Sequence, residues 1–123
     1  MKMTHHRVLV VEPDPAIRAL IVAVLRRRGH IADTAGTADE ALELQRTFHP
    51  AAVVVEPRIV GGPALLDELG RADGEAHPAV IVVTMPDGRE PSCAEVPPVR
   101  AVLHKPFRID ELADAVLACC ETN

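Results

Sequence analysis

Four apolar runs in this sequence stop on polar side chains. Val8-Leu9-Val10-Val11 closes on Glu12, Ala52-Val53-Val54-Val55 on Glu56, Ala79-Val80-Ile81-Val82-Val83 on Thr84, and Ala101-Val102-Leu103, with His104 ending its brief strand, on Lys105. Asp14 follows Glu12 by two positions. Carboxylates with a hydroxyl and an ammonium beside them suit a divalent cation and a phosphoryl group. Oxygen ligands hold Mg²⁺, while Lys and Thr can meet phosphoryl oxygens. Such chemistry needs the four run ends to meet in space, so the elements that carry them decide the matter.

Short, Val-rich, continuous apolar runs read as strands buried on both faces, as in a parallel sheet. A fifth, weaker strand spans residues 30–35 (H-I-A-D-T-A) and suits a position nearer the sheet edge. Helices fill the intervals. Asp14 can cap a helix that has Pro15 in its first turn, a favoured arrangement. Ile17, Leu20, Ile21, Val24 and Leu25 fall on one face of it, and Gly29 is its stop. Thr37-Ala38-Asp39-Glu40 is a capping box, and Ala41, Leu42, Leu44 and Phe48 continue into a second helix that ends near His49-Pro50. Pro63 starts a third, whose buried face is Leu65, Leu66 and Leu69. The last helix, residues 109–120, buries Ile109, Leu112, Val116 and Leu117. Between Met85 and Val99 stand Pro86, Pro91, Pro97 and Pro98, which leave room for no more than a short helical turn at residues 92–96. Strands alternating with helices over short connections predict a three-layer α/β sandwich around a five-stranded parallel sheet. The strand ends then converge at one sheet edge, where open α/β folds keep their sites.

Composition narrows the function. A chain of 123 residues with 48% hydrophobic and 25% charged residues fits one globular domain, with no output domain expected. The net charge is −5, and the one basic cluster, Arg26-Arg27-Arg28, sits at a helix end where the dipole favours cations, so no nucleic-acid partner is expected. There is no secretory signal and no apolar run near the roughly 18 residues of a membrane span, which predicts a cytoplasmic protein with no membrane contact. Cys93, Cys119 and Cys120 lack metal-ligand spacing and read as reduced thiols. No nucleophile–base pair with a third orienting group is visible, so an enzyme is not expected. Alternation along the strand points His104 away from the face of Lys105. The fold could also hold a small ligand at its carboxyl edge, but there is no Gly-rich phosphate loop or nucleotide fingerprint.

Several segments together carry a resemblance: residues 8–18 (V-L-V-V-E-P-D-P-A-I-R), residues 50–56, Val82-Val83-Thr84, and Leu103-His104-Lys105-Pro106-Phe107. In their order and spacing the chain resembles a response-regulator receiver domain, the phosphorylatable module of two-component signalling, over essentially its whole length. The resemblance implies a flavodoxin-like strand order, 2-1-3-4-5, and a cis Lys105–Pro106 bond. It places Glu56 at the phosphoacceptor position, Glu12 and Asp14 in the acidic pocket, and Thr84 and Lys105 at the polar switch positions.

The chain also departs from the family pattern. Receivers accept phosphate on Asp where this chain has Glu56, and they use a second acidic metal ligand where it has Pro13. Asp14 stands one position late for that role and suits the helix cap. The carbonyl of Arg58 could still face a metal, but the aromatic switch position is Val102. A glutamate carries its carboxylate about 1.3–1.5 Å further out than an aspartate, and phosphoryl transfer loses about a hundredfold for 1 Å of misplacement. Weak or absent Mg²⁺ binding and no other cofactor follow. Three readings of Glu56 stay open: a structural carboxylate paired with Lys105, a fixed charge imitating phosphorylation, or a residual phosphate or metal site with Glu12 and Asp14. Thr84 reads as a strand-end hydroxyl satisfied locally. The expectation is an atypical receiver that signals by protein–protein contact independently of phosphorylation. Its partner would be a histidine kinase, another regulator or a second copy in a homodimer, with residues 85–99 and the last helix in the contact. A conventional Mg²⁺-dependent phosphoacceptor is the alternative.

Overall fold

The computed structural model describes residues 6–71, 78–85 and 99–121. Nine elements follow in order: β1 (Arg7–Val11), α1 (Pro15–Arg27), β2 (Ile31–Ala35), α2 (Ala38–Phe48), β3 (Ala52–Val55), α3 (Gly62–Gly70), β4 (Ala79–Thr84), β5 (Val99–His104) and α4 (Ile109–Glu121). All strand pairings are parallel and the sheet order is β2-β1-β3-β4-β5. The helical turn expected at residues 92–96 lies outside the described residues, as does most of the contact surface expected at 85–99.

Apart from Arg7 at the start of β1, the three central strands are wholly buried, which is why they read as unbroken apolar runs. Alternation divides their side chains between two cores. Val8, Val10, Val54, Ile81 and Val83 meet α1 and α4 through Ile21, Leu25, Leu112 and Val116. Leu9, Val11, Val53, Val55, Val80 and Val82 meet α2 and α3 through Ala41, Leu65, Leu66 and Leu69.

Some expectations need correction. Leu20 is 46% exposed, and Val22 takes its place in the α1 core. Phe48 is 39% exposed at the end of α2, where it lies beyond the core and under the Arg7 guanidinium, 3.7 Å from the ring centre. Arg7 also pairs with Asp33 at 2.8 Å, so the ring is one side of a polar clasp on the β2 side of the sheet. Strand β5 begins at Val99 rather than 101, because an edge strand tolerates the exposed Arg100. Ile109 and Leu117 are only partly buried, and Ala113, Cys119 and Cys120 complete the α4 face. Arg28 meets Asp110 and Asp114 of α4, so the basic cluster is partly spent on helix pairing.

Cys119 and Cys120 are buried and are not joined in a disulfide. Burial, then neighbouring Cys119 and Glu121, pushes the Cys120 thiol up to about 11. Burial raises Cys119 as well, against an opposing effect of Arg100. Between the ordinary thiol range and the raised one, the folded chain keeps a proton that the unfolded chain releases, so stability falls as pH rises there. At neutral pH the thiolate population of Cys120 is expected to be some hundredfold below that of a free cysteine. In a Cys93→Ser background, a chromogenic disulfide reagent should label the native chain far more slowly than the urea-unfolded one.

Candidate functional site

Hydrogen bonds of the ladder continue past the strands and fix the polar residues at the carboxyl edge. The Glu12 N–H donates to the Ala35 carbonyl at 3.2 Å, the Glu56 N–H to Val11 at 2.9 Å, and the Lys105 N–H to Thr84 at 2.9 Å. Val11 and Val55 are register partners, so Glu12 and Glu56 leave adjacent strands at the same level. Lys105 reaches back over the sheet from β5 and places Nζ 2.6 Å from Glu12 Oε1 and 3.6 Å from Glu56 Oε1. The three side chains are 12%, 2% and 7% exposed, for Lys105, Glu12 and Glu56. Glu12 and Glu56 thus share one ammonium in a largely water-excluded place, where attraction between opposite charges is stronger than at a surface. The Lys105–Pro106 bond is cis, as the resemblance implied.

Not every predicted site residue joins this cluster. Asp14 leaves it: its Oδ1 accepts the Ala16 and Ile17 N–H groups at 2.9 and 3.3 Å and caps α1 from an exposed position. Its own N–H donates to Glu12 Oε2 at 3.1 Å, so Asp14 serves the pocket through its backbone rather than its carboxylate. Asp14→Ala is expected to cost about 1 kcal/mol through the lost cap. A shift of the urea midpoint at unchanged slope would show it. Lys105 is shared differently from expectation, since Glu12 is its nearer partner and Glu56 the more distant one. Thr84 is buried, and among the described residues its hydroxyl has no hydrogen-bond partner, contrary to the local satisfaction expected. Glu56 Oε2 is in the same position. Val102, half-buried, packs toward the α2–α3 core, and Pro13 is exposed.

Three further features escaped the sequence reading. Arg18 donates from Nη1 to the Glu12 carbonyl at 2.9 Å and ties α1 to the end of β1. Arg58 donates from Nη2 to the Met85 carbonyl at 2.9 Å and ties the β3–α3 loop to the end of β4. An apolar groove of about 310 Å³ runs beside the pocket, lined by Ile17, Leu20, Met85, Lys105, Pro106 and Phe107. The exposed Leu20 was the only visible hint of it, because the helical pattern had assigned that residue to the core.

The geometry does not fit a Mg²⁺ ion. Glu12 has one oxygen on Lys105 and the other on the Asp14 N–H, Pro13 offers no side-chain oxygen, and Asp14 is turned to the helix. Among the described residues no group of three or more His, Cys, Asp or Glu side chains is arranged to hold a metal.

Residues 8–117 match the family model for the response regulator receiver domain. The chain belongs to that family. As a receiver domain it superposes on solved structures of the same kind. NtrX from Brucella abortus, in complex with ADP, is 27% identical with a TM-score of 0.84, over 96% of this chain and 26% of NtrX. The chain therefore spans about a quarter of that protein. A response regulator signal receiver domain from Bermanella marisrubri is 27% identical with a TM-score of 0.81, covering 92% of this chain and 96% of its own. A sensor protein from Polaromonas sp. JS666 is 25% identical with a TM-score of 0.83, covering 94% and 96%. A comparison with curated proteins gives no match. Among the described residues, no helix of this receiver domain is long and apolar enough to cross a membrane.

Proposed function

We propose that this receiver domain signals by protein–protein contact without accepting a phosphoryl group, with Glu56 holding a fixed negative charge at the acceptor position. One observation carries the reading: Lys105 already lies between Glu12 and Glu56, one cation for two carboxylates, so one negative charge stays at the pocket. A glutamate at the acceptor position holds its carboxylate too far out for efficient in-line attack, by the hundredfold-per-ångström sensitivity of such transfers. The single charge of Glu56 is smaller than the ≈ −1.5 to −2 of a phosphate, so any imitation of the phosphorylated state is partial. Val102 in place of an aromatic residue removes the rotating side chain that would report a change at Thr84. The domain acts as a signalling module in the cytoplasm and performs no turnover of its own. Leu20 and Met85, both exposed, leave apolar surface next to the pocket that a protein partner such as a histidine kinase or another regulator can read.

The test is an amide-shift comparison with and without beryllofluoride and Mg²⁺, a phosphoryl imitation that attaches to an acceptor carboxylate. No shift at Glu56, Thr84 or Lys105 is expected. Saturating shifts at those residues, abolished in Glu56→Gln, would overturn the reading in favour of a conventional phosphoacceptor.

A further inference from the structure

We propose that Lys105 is the resident cation of the carboxyl-edge pocket, its ammonium standing in for a divalent ion, so that the chain is indifferent to Mg²⁺. The inference rests on the phosphorylation-independent reading above and concerns the regulation of the same site. Its basis is the geometry. Nζ lies within ion-pair distance of one carboxylate from each of two adjacent strands, 2.6 Å from Glu12 and 3.6 Å from Glu56. A buried carboxylate needs a cation or hydrogen-bond donors, and Lys105 is the cation that both have. Glu12 Oε2 accepts the Asp14 N–H, so both oxygens of this carboxylate are already engaged.

An incoming Mg²⁺ would need near-octahedral oxygen coordination. It would have to displace the ammonium from Glu12 Oε1 or sit beside it, cation against cation. Pro13 and the outward-turned Asp14 offer nothing in exchange. The same edge nevertheless holds oxygen without a partner. Glu56 Oε2 and Thr84 Oγ1 are buried and lack hydrogen bonds among the described residues. Removing the ammonium therefore leaves two carboxylates and a hydroxyl that a hard cation can use. Lys105 both offsets one of the pocket's two carboxylate charges and keeps a latent oxygen site closed.

The experiment is thermal unfolding and calorimetric titration of the full chain with MgCl₂ up to about 10 mM, against NaCl of equal ionic strength. The stabilisation that binding produces follows RT ln(1 + [L]/Kd). Wild type should show no Mg²⁺-specific rise in Tm and no binding heat. Lys105→Arg should behave in the same way. Lys105→Met should melt lower and recover several degrees in Mg²⁺ but not in NaCl. If Lys105→Met does not fold alone, dilution from urea with and without Mg²⁺ gives the same readout, and recovery of native circular dichroism only with Mg²⁺ supports the proposal. A Mg²⁺-specific Tm rise in wild type overturns it, as does a Lys105→Met chain that Mg²⁺ leaves unchanged or unfolded. Mg²⁺ binding by wild type without phosphoryl uptake would sink this inference alone, whereas phosphoryl uptake would sink the functional reading on which it rests.

Discussion

Replacing Lys105 by methionine is expected to destabilise the domain by about 3–5 kcal/mol, the typical cost of leaving a buried charge without its partner. Methionine keeps most of the apolar stem and removes only the ammonium, so the loss reads the charge and not the packing. Glu12 and Glu56, both almost fully buried, would face each other across adjacent strands with no cation between them. For a domain of this size the Tm should fall by roughly 10 °C or more. The two carboxylates should not matter equally. A double-mutant cycle should give a larger coupling for Lys105 with Glu12, at 2.6 Å, than with Glu56, at 3.6 Å. A Tm change within a degree or two for Lys105→Met would mean that water already screens the pocket and that the pairing is marginal.

Gly62→Ala is the second change with a large expected effect. A Cβ built on Gly62 would lie 1.9 Å from the Pro57 carbonyl oxygen and 2.7 Å from its carbon. Both are backbone atoms immediately after Glu56, so no side chain can rotate away, and the β3–α3 turn must open or α3 must shift. Overpacking of this kind costs about 3 kcal/mol when the obstacle is rigid. The effect is also directional, because the displaced turn begins next to Glu56 and includes Arg58, which is tied to Met85. Gly36→Ala provides the contrast: its nearest obstacle is Arg18 Nη1 at 3.2 Å, the far end of a flexible side chain. Denaturation midpoints of the two variants should differ accordingly, and equal midpoints would show that the Pro57–Gly62 turn yields easily.

The architecture was legible because its central strands are buried on both faces. Val53-Val54-Val55 and Val80-Ile81-Val82-Val83 must be continuous apolar runs, and the polar residues that end them mark the sheet edge. Caps were legible for the same local reason, and Asp14 and Thr37 both accept from the first turn of their helices. Legibility failed where a side chain reaches beyond its own neighbourhood. Lys105 stretches from β5 to the end of β1, and no local pattern says that Glu12 rather than Glu56 is the nearer partner. Arg18 and Arg58 bond to backbone carbonyls, which leave no trace in residue types. Helical periodicity placed Leu20 in the core because it cannot tell a core-facing stripe from one that borders a groove. At Asp14 the capping reading proved right, and the carboxylate belongs to the helix rather than to the acidic pocket.

The carboxyl edge of this receiver fold holds one ammonium, Lys105, between two carboxylates, Glu12 and Glu56, and the proposed function takes Pro13, Glu56 and Val102 as standing where the family's chemistry and read-out would reside. The most direct test is the intact mass of the full chain after incubation with acetyl phosphate and Mg²⁺. The account predicts no gain of a phosphoryl group in wild type. A stoichiometric, alkali-labile gain that disappears in Glu56→Gln would contradict it.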